Sequence, residues 1–188
     1  MDGRRAFSRK EGKKVTRAFK ITKALDDAVI SQAETQGITP SSFISHLLVQ
    51  YFDWWYYSSK GSAFVTLDRR VLKALIEDLD EERTTDIARS IALITTRDFI
   101  KFRFGKLDSE AVFEFLDTLD LHMNWGVVKT IRRGDGSLEV LVTHELGIKW
   151  SIFVSEFISN LLSSFLDMQT STEISTFGCT VLASPAEK

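Results

Sequence analysis

Val15–Ile21 is a seven-residue alternating stretch with no second strand near it in sequence, and this constrains the chain more than any other feature. Val15, Phe19 and Ile21 share one side and Thr16, Ala18 and Lys20 the other, with Arg17 breaking the apolar side. A lone strand of this length leaves backbone N–H and C=O groups unpaired unless another chain supplies a second strand. Two helices follow. Thr22 suits the N-cap of the first, and Asp26 and Asp27 lie near its positive end. Leu25, Ala28, Val29 and Ala33 fall on one face of that helix. Gly37 fits a left-handed C-cap, and Ile38 can fold back onto the helix. Thr39 with Pro40 opens the second helix, with proline in its favoured first position. Phe43, Ile44, Leu47, Leu48, Tyr51, Phe52 and Trp55 then form an apolar stripe too wide for one copy of so small a module to cover. A mutually burying homodimer accounts for it.

One basic strand, two helices and a capped turn in this order resemble the ribbon-helix-helix family of DNA-binding proteins (the MetJ/Arc/CopG type), over roughly residues 13 to 57. The resemblance implies two chains pairing their strands into an antiparallel ribbon that enters the major groove of double-stranded DNA. Thr16, Ala18 and Lys20 then occupy the base-contacting positions, and Thr39, Ser41 and Ser42 hold a phosphate at a helix N-terminus. An edge strand with a solvated polar face and an ordinary capping turn account for the same residues without DNA.

Charge is distributed unevenly. Residues 1 to 23 hold nine basic and two acidic side chains, +7, leaving 15 basic and 24 acidic, −9, for the rest. The basic end reads as a flexible arm over residues 1–14, with Arg4, Arg5, Arg9, Lys10, Lys13 and Lys14 as phosphate contacts. A solubilising tail explains the same composition. No apolar run is long enough for a membrane span, and no apolar segment follows the basic N-terminus as a secretory signal would require. Cys179 is the single cysteine, which excludes an intrachain disulfide and suits a cytoplasmic setting. His46 on the second helix has no partner at metal-ligand spacing. The adjacent aromatics at Trp54 to Tyr57 point around the helix, so some must meet something beyond the module. Residues 58–62, rich in serine and glycine, read as a linker.

Residues 63–188 read as an α+β oligomerisation or ligand-sensing domain. A strand at Ala63–Leu67 is expected first. A helix marked by Val71, Leu72, Leu75, Ile76 and Leu79 precedes an acidic break at Asp80–Glu82. Thr84 or Thr85 caps the next helix, with Ile87, Ala88, Ile91 and Ile94 near one face and an end at Gly105; Asp108 caps another, with Val112, Phe115, Leu116 and Leu119 inward. Val127–Arg132 and Leu138–Thr143 flank a Gly134-Asp135-Gly136 hairpin signal. A long helix begins near Gly147, and Thr172–Ala183 reads as the last strand. This order gives a ferredoxin-like α+β sandwich with a helical insert.

Catalytic chemistry finds little support. His144-Glu145 lacks the second histidine of a zinc-protease motif, and His122, His144 and Cys179 match no standard metal spacing. Ser151 and Ser155 lie on the long helix without a histidine–acid signature. The corner at 144–151 permits a small-ligand or partner pocket bordered by His144, Lys149 and Trp150. A packed strand-to-helix corner is the plainer alternative. The sequence thus points to a dimeric, non-enzymatic, sequence-specific DNA-binding transcriptional regulator without cofactor or metal. Two rivals remain open: an antitoxin-type repressor whose C-terminal domain binds a protein partner, and an enzyme domain carrying a ribbon-helix-helix dimerisation module.

Overall fold

The computed structural model describes residues 15–56, 67–119 and 125–186. It is a mixed α+β structure, and its internal contacts divide the chain into two compact units, Met1–Ala63 and Phe64–Lys188. The expected arm at 1–14, the linker at 58–62 and all but the last residue of the Ala63–Leu67 strand lie outside the described residues; Leu67 itself is in no strand. No helix among the described residues is long and apolar enough to cross a membrane.

In the N-terminal unit, residues 15–22 form no strand, since the described chain offers nothing for them to pair with. Helix α1 spans Lys23–Thr35, and the Thr22 hydroxyl accepts from the Leu25 amide at 3.4 Å. Gly37 takes φ 65°, which lets Gly37 N–H reach Glu34 O and Ile38 N–H reach Ala33 O, both at 3.0 Å. This double bond closes the helix end as a Schellman motif. Helix α2 spans Pro40–Gln50, with the Thr39 hydroxyl accepting from Ser42 N–H at 3.1 Å. A π-helical turn at Tyr51–Trp55 continues it. The wider turn changes the phase of the stripe, so Trp54 is buried while Tyr51, Phe52 and Trp55 stay exposed.

The C-terminal unit begins with α3 (Arg69–Glu77) and α4 (Glu81–Ser90). The expected cap at Thr84 or Thr85 is corrected: Asp80 caps α4, accepting from Arg83 N–H at 2.7 Å, and Glu81 and Glu82 fill its first turn. The acidic run therefore starts the helix, because carboxylates suit its positive end. A π-helical turn at Ile91–Thr96 joins α4 to α5 (Arg97–Phe104), which ends at Gly105 with φ 71°. That turn also re-phases the expected apolar face. Ile94 is exposed, whereas Ala92, Thr96, Phe99 and Ile100 face inward. Helix α6 (Ser109–Thr118) is capped by Asp108 as its sequence indicates, with Val112, Phe115, Leu116 and the following Leu119 buried.

Strands β1 (Val127–Arg132) and β2 (Leu138–Thr143) keep the expected bounds, and Gly136 at φ 83° makes their turn. Helix α7 (Ile148–Leu166) follows Gly147. The expected last strand at Thr172–Ala183 is instead a hairpin of β3 (Met168–Ser175) and β4 (Gly178–Pro185) around Thr176-Phe177. Neither turn residue has a positive φ, so the usual Asn-Gly type of hairpin signal is missing from the sequence. The sheet order is β1-β2-β4-β3, antiparallel throughout. A ferredoxin-like plan is therefore corrected to hairpin, helix, hairpin.

One sheet face is the core. Leu138, Val140 and Val142 lie opposite Ala183, Val181 and Cys179, and all six are buried. Trp150, Phe153, Val154, Phe157, Ile158, Leu161 and Leu162 bury the face of α7 that packs on the β3–β4 hairpin. Gly178 sits where β4 passes β2, and a Cβ there would meet the Val142 carbonyl oxygen well inside contact distance. Gly178→Ala is expected to destabilise the unit by more than about 2 kcal/mol, since backbone rather than a flexible side chain must move. Chemical denaturation of the variant against the parent checks this.

Candidate functional site

The most individual corner of the C-terminal unit runs from the end of β2 into α7. Gly147 makes the turn at φ 91°, where a side chain would be strained. His144 is 8% exposed. Its Nδ1 accepts from the Leu146 amide at 3.1 Å, and its Nε2 lies 3.0 Å from the Ser151 hydroxyl. The Ser151 hydroxyl in turn donates to the Ser175 carbonyl at 2.6 Å.

These partners fix the proton positions. Nδ1 accepts, so the neutral ring carries its proton on Nε2 and donates to Ser151. A nucleophilic serine needs the reverse arrangement, with its own proton given to the imidazole. The pair is wired as a structural relay that ties the β2 end through α7 to the β3–β4 turn. Sequence reading separated the two residues and missed the relay. Its trace was the placement of Ser151 and Ser155 among the apolar positions of α7, where both are buried.

The other two candidate residues face elsewhere, because successive helix positions turn by about 100°. Lys149 Nζ donates to the Glu77 carbonyl at 2.7 Å and to the Leu79 carbonyl. It thereby caps the negative end of α3. Trp150 Nε1 donates to the Trp125 carbonyl at 3.0 Å. Its ring stacks on Phe153 with centroids 4.9 Å apart, and Trp125 meets Phe157 edge-on at 4.9 Å. Phe157, Phe115 and Phe99 extend the series to α6 and α5 at 6.3 and 6.0 Å. His144, Lys149 and Trp150 thus hold three different neighbours and do not converge on a common pocket.

In the N-terminal unit, Thr16, Ala18 and Lys20 are exposed. The Thr39 hydroxyl donates to Ser42 Oγ at 3.0 Å, and the Ser41 carbonyl accepts from the Ser45 hydroxyl at 2.9 Å. The cations Arg4, Arg5, Arg9, Lys10, Lys13 and Lys14 lie outside the described residues. Among the described residues no three His, Cys, Asp or Glu side chains form a metal-ligating group. Burial pushes the Cys179 thiol up to about 12, which keeps it protonated.

No family model matches the chain, and no curated protein matches it. A solved structure of an H-NOX protein from S. oneidensis, in the Fe(II)NO ligation state, aligns with a TM-score of 0.42 at 10% identity, covering 87% of this chain and 96% of that one. A likeness this slight carries neither fold nor function across. The sequence-based expectation of a DNA-binding transcriptional regulator is corrected on the structure itself: residues 15–21, read as its DNA-contacting strand, form no strand among the described residues. The antitoxin and enzyme variants of that expectation fall with it.

Burial, and secondarily the charge of Arg69, lowers the His144 pKa below its ordinary 6.5. The folded state therefore favours the neutral ring. Its contribution to stability is complete above about pH 6.5 and is lost as pH falls through the lower folded value. Protonation also turns Nδ1 into a donor facing the Leu146 amide. Thermal melts from pH 8 to pH 5 are expected to show a steeper loss for the parent than for His144→Gln; parallel curves would remove the relay from the stability account.

Proposed function

We propose that this is a non-enzymatic, self-associating protein whose N-terminal unit is a homodimerisation module of the ribbon-helix-helix type. The observation that carries the reading is α2, which has no buried residue although it holds Phe43, Ile44, Leu47, Leu48 and Val49. Leu47, Leu48, Tyr51, Phe52 and Trp55 are 42–54% exposed, and Val15, Phe19, Ile21 and Leu25 add 38–66%. Among the described residues of this unit, Val29, Ala33 and Trp54 are the buried apolar side chains. So small a core does not hold two helices and residues 15–22 by itself.

Magnitudes favour association. Completing the burial of a half-exposed large apolar side chain is worth roughly 1 kcal/mol. Nine such side chains on each copy give on the order of 15–20 kcal/mol gross for a dimer, against roughly 4–15 kcal/mol for lost rigid-body freedom. Pairing residues 15–21 with the same stretch of a second copy would also satisfy backbone groups that have no strand partner in one chain. The relay at His144 supports the non-enzymatic part, because its serine is a donor to backbone and not an activated nucleophile.

Placing charges in the stripe tests the reading. Leu47→Asp with Leu48→Asp is expected to raise the dimer dissociation constant roughly a hundredfold or more, as two buried carboxylates cost several kcal/mol. Sedimentation equilibrium over a dilution series measures it. An unchanged constant, with the C-terminal unit still folded by circular dichroism, would defeat the proposal.

A further inference from the structure

We infer that the C-terminal unit carries a second self-association surface, in which α3 of one copy lies in a groove beside α4 and α7 of another, and reciprocally. The inference goes beyond the N-terminal dimer and rests on different residues. An isologous contact needs one surface that holds both halves of its own complement, and this unit has such a surface.

The first half is α3 and the residue before its cap. Val71 and Leu75, four positions apart, share one face of α3, and Leu67 lies just before its N-cap Asp68. Leu67, Val71 and Leu75 are 48%, 47% and 58% exposed. Arg70 and Lys73 flank the stripe. Arg70 meets the exposed Asp68 at 3.1 Å and Lys73 the exposed Glu77 at 3.7 Å, both close by in sequence. Exposed pairs of this kind are worth little, so exchanging partners costs little.

The second half is an open groove of about 710 Å³. Glu81, Glu82 and Asp86 form one wall, and Ile148, Ile152 and Ile174 the other. Ile148 and Ile174 are 45% and 42% exposed. The cation lining this groove is Arg89, 3.8 Å from Asp86, which leaves the wall acidic. Apolar stripe with cations thus matches apolar wall with carboxylates in both kind and sign.

The two halves are neighbours on one surface. Lys149, one position after Ile148 of the groove, holds the last carbonyls of α3, and Gly147 approaches the Glu77 carboxylate. A two-fold axis between them would place each α3 in the other copy's groove. A partner protein offering a basic amphipathic segment would fit the groove alone. It would leave the exposed stripe of α3 uncovered, so a second copy accounts for more of the surface.

The test uses the full chain carrying Leu47→Asp and Leu48→Asp, so that any remaining association is read apart from α2. Sedimentation equilibrium is expected to show a weaker but concentration-dependent dimer. Arg70→Glu with Lys73→Glu should raise its dissociation constant roughly tenfold or more, and Glu82→Lys with Asp86→Lys should do the same. Combining both reversals should return it to within about threefold of the starting value, which loss of folding could not do. A monomer at every concentration, a helix reversal without effect, or a combined variant as weak as the single reversals would each overturn the inference. Failure of the N-terminal reading is separate: the α2 variant would then associate as tightly as the parent.

Discussion

The N-terminal unit turns on an apolar surface that stays exposed among its described residues. Its caps are well made: Thr22, Thr39 and the Schellman closure at Gly37 define two helices and the angle between them. Caps fix where helices start and stop, each worth about 1 kcal/mol, but they do not create a core. With the stripe of α2 open and residues 15–22 unpaired, local signals and burial disagree about whether one copy suffices. In the proposed dimer a second copy resolves that disagreement, since the exposed stripe is the surface that two copies would share.

The C-terminal unit follows a different plan. Its sheet buries one face under α7, and an aromatic series from Phe99 through Phe115 and Phe157 to Trp125 and Trp150 carries that core into the helices. Polar ties then pin the corners. Lys149 closes the end of α3, and the His144–Ser151–Ser175 relay fixes the β2 end against the far hairpin. Residues that look like chemistry in sequence, a histidine beside a glutamate and serines on a helix, are used here to satisfy buried backbone. A buried histidine whose neutral form is favoured also links this corner to pH.

Much of this was legible in the sequence where signals are local. Thr39-Pro40, Asp108, Gly105 and Gly134-Asp135-Gly136 marked element ends correctly because capping and turn chemistry act within a few residues. Two π-helical turns were not legible, since one extra residue per turn leaves composition unchanged while shifting which side chains face inward; Ile94, read on or near the inner face, is exposed for that reason. The β3–β4 hairpin was read as one strand because Thr176-Phe177 has no glycine or asparagine to announce a turn. The candidate pocket at His144, Lys149 and Trp150 joined residues close in sequence, of which His144 lies before α7 while Lys149 and Trp150 leave that helix about 100° apart. The contact between His144 and Ser151, seven positions apart across a corner, needed the fold to be seen.

Amide hydrogen exchange on the unmodified chain, resolved to residues 15–50 and repeated at high and low protein concentration, tests the central claim most directly. Association through the N-terminal unit is expected to protect the amides of 15–21 and of α2 at high concentration, and dilution is expected to release them while the sheet of the C-terminal unit stays protected. Exchange of 15–21 at unstructured rates at every concentration would contradict the account. So would protection that dilution never alters in a chain shown to sediment as a monomer, because the stripe would then be covered without a second copy.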